Sequence, residues 1–165
     1  MATLYLICGM SGSGKTTLAK ELEANCVALR LCPDEWISLI IKNKHDKNEL
    51  DRLRAPIEGL MWDLAKKLLI SGVDIILENG FWSREERIEY LRNAKQVDAD
   101  VKVILHYLDL SIEKLWDRIQ KRNLELPDDC FHITREELNQ WMDWFTPPDQ
   151  EEFKLYDGYK VHKAC

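Results

Sequence analysis

Eight residues near the start of the chain have the types and spacing of a phosphate-binding loop. Residues 9–16 read Gly-Met-Ser-Gly-Ser-Gly-Lys-Thr, a full match to the pattern G-x-x-x-x-G-K-[ST]. Such glycines let backbone N–H groups turn inward and hold a polyphosphate at the positive end of the following helix. We expect Lys15 to reach the β- and γ-phosphates and the Thr16 hydroxyl to ligate Mg²⁺. The residues predicted to bind MgATP are Gly9, Ser11, Gly12, Ser13, Gly14, Lys15, Thr16 and Thr17.

Asp34 follows the second apolar run, in the sequence Leu31-Cys-Pro-Asp34. Open parallel sheets bind ligands at the carboxyl ends of their strands, so Asp34 is expected beside the phosphate loop. There it could accept the proton of an acceptor hydroxyl. The alternative is that Asp34 caps the helix that starts at Glu35.

Glu78 and Asn79 follow the third apolar run. An acidic residue after a strand beside a phosphate loop commonly supports Mg²⁺, often through water. We therefore predict Glu78 as a metal residue together with Thr16, with Asn79 as the alternative.

Arg118 and Arg122 lie four residues apart after the fourth apolar run and project from one face of a predicted helix. Phosphoryl transfer needs positive charge around the moving phosphorus, so both are candidate catalytic residues with Lys15 and Asp34. The alternative is a charged helix face in solvent. A lid is predicted at about residues 112–135, with Leu124–His132 as its mobile part.

The elements that position these residues follow from the apolar pattern. Strands are predicted at Leu4–Cys8, Val27–Leu31, Asp74–Leu77, Val101–Leu108 and, as a last short strand, Tyr159–Lys163. Helical periodicity runs from Glu35 to Ile70, with breaks near Asn43–Asn48 and at Pro56. Capping patterns start further helices at Ser83 and Thr134. Alternating strands and helices predict a single domain, residues 1–165, folded as an α/β three-layer sandwich with a mostly parallel five-stranded sheet.

Several other polar and aromatic residues have no firm role. One of Arg84 and Arg87 could face the acceptor or phosphate, although solvated helix charges are the favoured interpretation of both. Trp36 and Trp82 could either stack on an acceptor or fill the core. No histidine has a partner at metal-ligand or triad spacing, and no role is assigned to His45, His106, His132 or His162.

Composition limits the class of ligand and compartment. The chain has 165 residues and a formal net charge of −6, which argues against a nucleic-acid partner. Its five cysteines form no C-x-x-C pair, which favours reduced thiols in a cytoplasmic protein. No apolar run has membrane-spanning length, and no signal segment is recognised. The oligomeric state is not predicted.

Together, the phosphate loop, Asp34, the Glu-Asn-Gly-Phe-x-x-Arg-Glu-Glu-Arg stretch and the Arg-x-x-x-Arg helix resemble one family of P-loop kinases. This family includes chloramphenicol phosphotransferase, zeta toxins and the kinase half of polynucleotide kinases, and its members are often labelled AAA-type ATPases. The resemblance spans about residues 3–125. It implies Lys15 and Thr16 on phosphate and Mg²⁺, Asp34 as general base, and Arg118 and Arg122 as lid arginines.

The function predicted from the sequence is transfer of the γ-phosphate of MgATP to a hydroxyl of a metabolite, nucleotide sugar or antibiotic. One alternative is a 5′-hydroxyl nucleic-acid kinase, which the acidic balance disfavours. Another is a nucleotide-dependent switch or ATPase, in which Asp34 would have no acceptor to serve.

Overall fold

A five-stranded sheet with all strands parallel forms the centre of the structure, a computed structural model that describes residues 1–127 and 130–163. The strand order is β2-β3-β1-β4-β5. Leu6 of β1 pairs with Leu77 of β3 on one side and Leu105 of β4 on the other. The strands are β1 Thr3–Cys8, β2 Leu29–Leu31, β3 Ile75–Gly80, β4 Lys102–Asp109 and β5 Gly158–Lys163.

Helices cover both faces of the sheet and confirm the predicted three-layer α/β fold. They are α1 Lys15–Cys26, α2 Pro33–Ile40, α3 Lys47–Ile70, α4 Arg84–Val97, α5 Ile112–Glu125, α6 Arg135–Trp144 and α7 Gln150–Phe153. The helix α1 packs on one face, against Ile7 and Ile76. The helices α3 and α4 pack on the other, where Met61 and Leu91 join the main core.

Several predicted boundaries in the first half of the chain are wrong. The strand β3 continues through Glu78 and Asn79 to Gly80, where Leu77 was the predicted end. The strand β2 starts at Leu29 rather than Val27, because Val27 ends α1 in the left-handed conformation with φ of 51°. Pro56 does not break the helix that contains it. Proline removes one backbone hydrogen bond, but the buried side chains of Leu50 and Ile57 anchor α3 on both sides of it, and this packing outweighs the loss.

The alternation of side chains along the strands decides which residues face α1. Ile76 of β3 and its register partner Arg30 of β2 lie on the α1 face, and Glu78 follows Ile76 on that face. Asn79 points to the opposite face, with Leu77. This parity places Glu78 and Arg30 next to the helix that follows the phosphate loop.

The described residues contain neither a membrane-spanning helix nor a disulfide bond. No helix in residues 1–127 or 130–163 combines the length and apolar character needed to cross a bilayer. Cys8, Cys26 and Cys32 form no disulfide bond.

Candidate functional site

The loop of residues 9–16 joins the end of β1 to the start of α1 in a tight turn. Gly12 and Gly14 have φ of 81° and 99°, a conformation that other residues rarely adopt. Gly12 also lies against α5: a Cβ there would come within 2.8 Å of Ile119 Cγ1 and 3.2 Å of the Leu115 carbonyl oxygen. The loop therefore needs glycine at position 12 for both its backbone angle and its packing.

The first turn of α1 fits a bound anion. Its N-cap is Gly14, which offers no side-chain cap, and the turn contains no acidic residue. The buried Ser13 hydroxyl oxygen has no hydrogen-bond partner among the described residues. Uncapped helix N–H groups and a buried, unpaired hydroxyl match the requirements of a phosphate group. Ser11 lies in the same turn, and Thr17 is exposed on the first turn of α1.

Lys15 lies at the junction of the candidate groups. Its Nζ donates a 2.9 Å hydrogen bond to the Met10 carbonyl oxygen. Burial lowers the pKa of Lys15, the charge of Arg122 lowers it further, and the carboxylates of Asp34 and Glu78 oppose these effects. Lys15 thus interacts electrostatically with three of the residues that the sequence singles out.

Glu78 contacts the phosphate loop directly, as expected from the alternation of side chains along β3. Its side chain is 1% exposed, and Oε2 accepts a 2.9 Å hydrogen bond from the Thr16 hydroxyl. Its other oxygen, Oε1, accepts a 2.7 Å bond from Nη1 of Arg30. Arg30 also pairs with Glu35 at 2.8 Å, so one guanidinium fixes two carboxylates beside the loop.

Asn79 turns away from the phosphate loop. Its Nδ2 donates a 3.1 Å hydrogen bond to the Tyr90 hydroxyl on α4. Of the two residues considered for Mg²⁺, only Glu78 touches Thr16. Hydroxyl and carboxylate oxygens are suitable Mg²⁺ ligands.

The donor set fits a magnesium ion that binds together with a phosphate substrate. Within residues 1–127 and 130–163, no three His, Cys, Asp or Glu side chains form a group that could hold a metal. Magnesium usually takes one or two protein ligands and completes its shell with water and phosphate oxygens. Thr16 and Glu78 are the residues that could supply the protein's share.

Asp34 does not cap a helix, contrary to the alternative that the sequence left open. The helix α2 begins at Pro33 with Cys32 as its N-cap, so Asp34 lies within the first turn. Its Oδ1 accepts a 2.7 Å hydrogen bond from Nη2 of Arg54, which reaches across from α3. Both side chains are half-exposed.

The two arginines of α5 differ in their contacts. Arg118 Nη1 donates a 3.1 Å hydrogen bond to the Ser13 carbonyl oxygen in the phosphate loop. Nε of Arg122 is buried and lacks a partner among the described residues. Arg118 contacts the phosphate loop and Arg122 acts electrostatically on Lys15 of that loop, so neither lies on a purely solvent-facing surface. In the predicted mobile part of the lid, Asp128 and Asp129 lie outside the described residues.

Arg87 is not a solvated charge. It is fully buried on α4 and makes hydrogen bonds of 2.6 and 2.8 Å to Glu152 of α7. Its Nη1 also donates a 2.9 Å bond to the Phe81 carbonyl oxygen, directly after β3. This buried ion pair fixes the backbone that follows Glu78. Arg84, in contrast, is half-exposed and pairs with Asp149 at 3.1 Å.

The two tryptophans in question contribute to packing. Trp36 packs against the main core, and Trp82 packs on Trp141 with ring centroids 5.5 Å apart. His106 Nδ1 and His162 Nε2 lie 2.9 Å apart on neighbouring strands, a contact that their spacing in the sequence does not reveal.

Sequence reasoning missed two arginines that organise the site, Arg30 and Arg54, and misinterpreted a third, Arg87, as a solvated charge. Arg30 left a signal, because it is a cation inside the apolar run Val27–Leu31. Arg54 left none, since its pairing with Asp34 depends on how α3 packs against α2.

Comparison with known proteins assigns the chain to a family and supports its fold. Residues 4–148 match the family model AAA_33, described as an AAA domain. The chain belongs to this AAA domain family. No curated protein matches the sequence significantly.

Solved structures share the fold of this AAA domain across nearly its whole length. A protein from Chloroflexus aurantiacus, provisionally classed as a kinase, has 20% identity and a TM-score of 0.77, with 98% of this chain and 88% of that chain covered. A gluconokinase from Sinorhizobium meliloti has 13% identity and a TM-score of 0.61, with coverage of 98% and 82%. A fungal RNA kinase has 16% identity and a TM-score of 0.62, with coverage of 97% and 73%. The fold is therefore that of P-loop kinases.

Proposed function

We propose that this AAA domain is a kinase that transfers the γ-phosphoryl group of MgATP to a hydroxyl of a small molecule. The observation that carries the proposal is the position of Asp34, in the first turn of α2 just beyond the carboxyl end of β2, where its carboxylate acts electrostatically on Lys15 of the phosphate loop. A kinase needs a carboxylate there to accept the hydroxyl proton. A simple ATPase would use such a carboxylate to activate water, so the fate of the γ-phosphate distinguishes the two activities.

The residues then divide into a donor half and an acceptor half. The amides of residues 9–16 and Lys15 bind and orient the phosphates of ATP. Asp34 accepts the proton as the acceptor oxygen forms its bond to the γ-phosphorus, and the bond to the β-phosphate oxygen breaks to release ADP. Arg118 and Arg122 place positive charge around the transferred group.

Magnesium, held by Thr16 and by Glu78 directly or through water, would neutralise charge on the β- and γ-phosphate oxygens. Arg30 supports this arrangement because it fixes one Glu78 oxygen while the Thr16 hydroxyl contacts the other.

The charges around Asp34 favour a small molecule over a polyanion as the phosphate acceptor. Glu58 and Glu86 lie close enough to interact with each other, and Asp34 also acts on Glu58. Arg54 pairs with Asp34 and Glu58, and Arg87 acts on Glu86. This cluster is therefore not a basic groove for a nucleic-acid backbone, and the overall charge of the chain is −6. The gluconokinase and RNA kinase of similar fold make sugars, sugar acids and 5′-hydroxyl oligonucleotides the informative acceptors.

The test is a screen of hydroxylated acceptors with γ-³²P-ATP, followed by mass spectrometry of labelled products. Sugars, sugar acids, nucleosides, nucleotide sugars, hydroxylated antibiotics and 5′-hydroxyl oligonucleotides form the panel. We expect transfer to at least one small molecule by the wild type and none by Lys15→Ala. Labelling of oligonucleotides alone would replace the proposal with a nucleic-acid kinase. Release of inorganic phosphate with every acceptor would favour the ATPase.

A further inference from the structure

The carboxylate of Asp34 is held at one oxygen only within the part of the chain that the structure describes. Nη2 of Arg54 lies 2.7 Å from Oδ1. The contact joins the first turn of α2 to the middle of α3, so it spans two separate elements. A single strong hydrogen bond to Oδ1 restricts rotation of the carboxylate and leaves Oδ2 to accept a proton.

Arg54 is itself held from the other side. Its Nη1 lies 3.6 Å from Oε1 of Glu58, one turn further along α3. Burial lowers the pKa of Arg54, but the carboxylates of Asp34 and Glu58 outweigh this effect and raise it. The guanidinium therefore stays charged and bridges the two carboxylates.

Glu58 titrates near neutral pH. The pKa of Glu58 is raised to about 7, mainly by burial; Arg54 opposes this rise, and Glu86 and Asp34 contribute to it. The groups around it come from three helices: Asp34 of α2, Arg54 of α3, and Glu86 and Tyr90 of α4. The ionised form of Glu58 holds Arg54, and protonation weakens that hold.

We propose that Arg54 is the positioning residue for Asp34 and that Glu58 fixes Arg54. Asp34, Arg54 and Glu58 then form a chain of ion pairs, which we call the relay. This inference rests on the proposed kinase function, in which Asp34 accepts the hydroxyl proton. The relay requires no direct contact between Arg54 and the acceptor. Its role is to hold the Asp34 carboxylate in the orientation that the reaction needs.

The first test separates positioning from acceptor binding. Removal of the guanidinium in Arg54→Ala is expected to lower kcat by roughly 10- to 100-fold, the effect of a small misplacement of a catalytic group. The acceptor KM and the Kd for ATP should stay within about threefold of wild type, and Arg54→Lys should recover part of kcat because it keeps one charged donor. Arg52→Ala is the matched control, since Arg52 lies on the same helix with a side chain that is 76% exposed. An acceptor KM that rises while kcat is unchanged would overturn the relay.

A double-mutant cycle tests whether Arg54 acts through Asp34. In the Asp34→Asn background, Arg54→Ala should change the residual transfer rate by less than about twofold, because the group that Arg54 positions is gone. Equal fold-losses in both backgrounds would show that Arg54 acts independently and would overturn the proposal. The cycle compares active-site rates in folded protein, so each variant is first matched to wild type by its melting temperature.

Glu58→Gln tests the far end of the relay. Wild-type kcat is expected to rise with pH through an inflection near 7, as Glu58 ionises and fixes Arg54. The Glu58→Gln profile should lose that inflection and run at the low-pH level of the wild type. Asp63→Asn is the control on the same helix, with a carboxylate that is 66% exposed. An inflection that persists in Glu58→Gln contradicts this part of the relay.

The two proposals fail in different ways. If the wild type transfers phosphate but the Arg54 and Asp34 effects multiply, the kinase function stands and the relay is wrong. If the wild type transfers phosphate to no acceptor, both are wrong.

Discussion

Replacing Arg87 by Met is expected to destabilise the fold more than any surface substitution. Arg87 and Glu152 have side chains that are 0% and 1% exposed and lie 2.6 Å apart. Loss of the arginine leaves a buried carboxylate without its partner, which typically costs about 3–5 kcal/mol of unfolding free energy. For a chain of this size, that corresponds to a melting temperature lower by roughly 6–20 °C.

The double variant Arg87→Met/Glu152→Leu should recover most of that loss. Both charges are then absent, and the Phe81 carbonyl oxygen keeps its 3.3 Å hydrogen bond from the Cys8 thiol. The remaining cost is the Tyr156 hydroxyl, which loses its acceptor, about 1 kcal/mol. Thermal and urea unfolding measure the two variants at pH 7.

Arg84→Met is the control for Arg87→Met. Arg84 lies on the same helix but forms a half-exposed pair with Asp149, so its loss should cost no more than about 1 kcal/mol. The reasoning is refuted if Arg87→Met is no more destabilising than Arg84→Met. It is also refuted if the double variant is as unstable as the single one.

Two further predictions concern the phosphate loop and a histidine pair. Gly12→Ala and Gly72→Ala both force alanine to a φ above 80°, but of these two positions only Gly12 has close neighbours. Gly12→Ala should therefore lower the melting temperature and the ATP affinity more than Gly72→Ala does. Equal effects of the two substitutions would contradict the packing of α5 on the loop. Burial, together with His162 and Lys160, lowers the pKa of His106 to about 4, below its ordinary value of 6.5. The folded state therefore binds fewer protons than the unfolded state between pH 6.5 and 4, and stability falls on acidification through that window. In His106→Gln the melting temperature should fall less between pH 6.5 and 4 than in wild type. An unchanged pH dependence in this variant would contradict the role of His106.

The sequence was most informative where a residue's role depends on local pattern. The phosphate loop of residues 9–16 and the helix start at Thr134 are read from spacing alone, and the structure has the turn and the complete capping box. The period of two along β3 also carries information, because it puts Glu78 and Asn79 on opposite faces. This alternation alone predicts that Glu78, and not Asn79, faces the phosphate loop.

Tertiary contacts explain what the sequence could not provide. Arg54 meets Asp34 only because α3 packs on α2, and Arg87 meets Glu152 only because α7 returns to α4. Charged residues at helical spacing look like a solvated face until such packing is known. Pro56 shows the converse, since its strong local preference against helix interiors is overridden by the core contacts of α3.

The central claim is that Asp34 and the phosphate loop form one phosphotransfer site. The most direct measurement is the fate of the γ-phosphate in wild type and in Asp34→Asn, with ATP affinity measured in parallel by calorimetry. The account predicts unchanged ATP affinity and a transfer rate lower by about 10²–10⁴-fold in Asp34→Asn, the usual contribution of a general base. Transfer at the wild-type rate by Asp34→Asn, or phosphate release to water alone by the wild type, would contradict it.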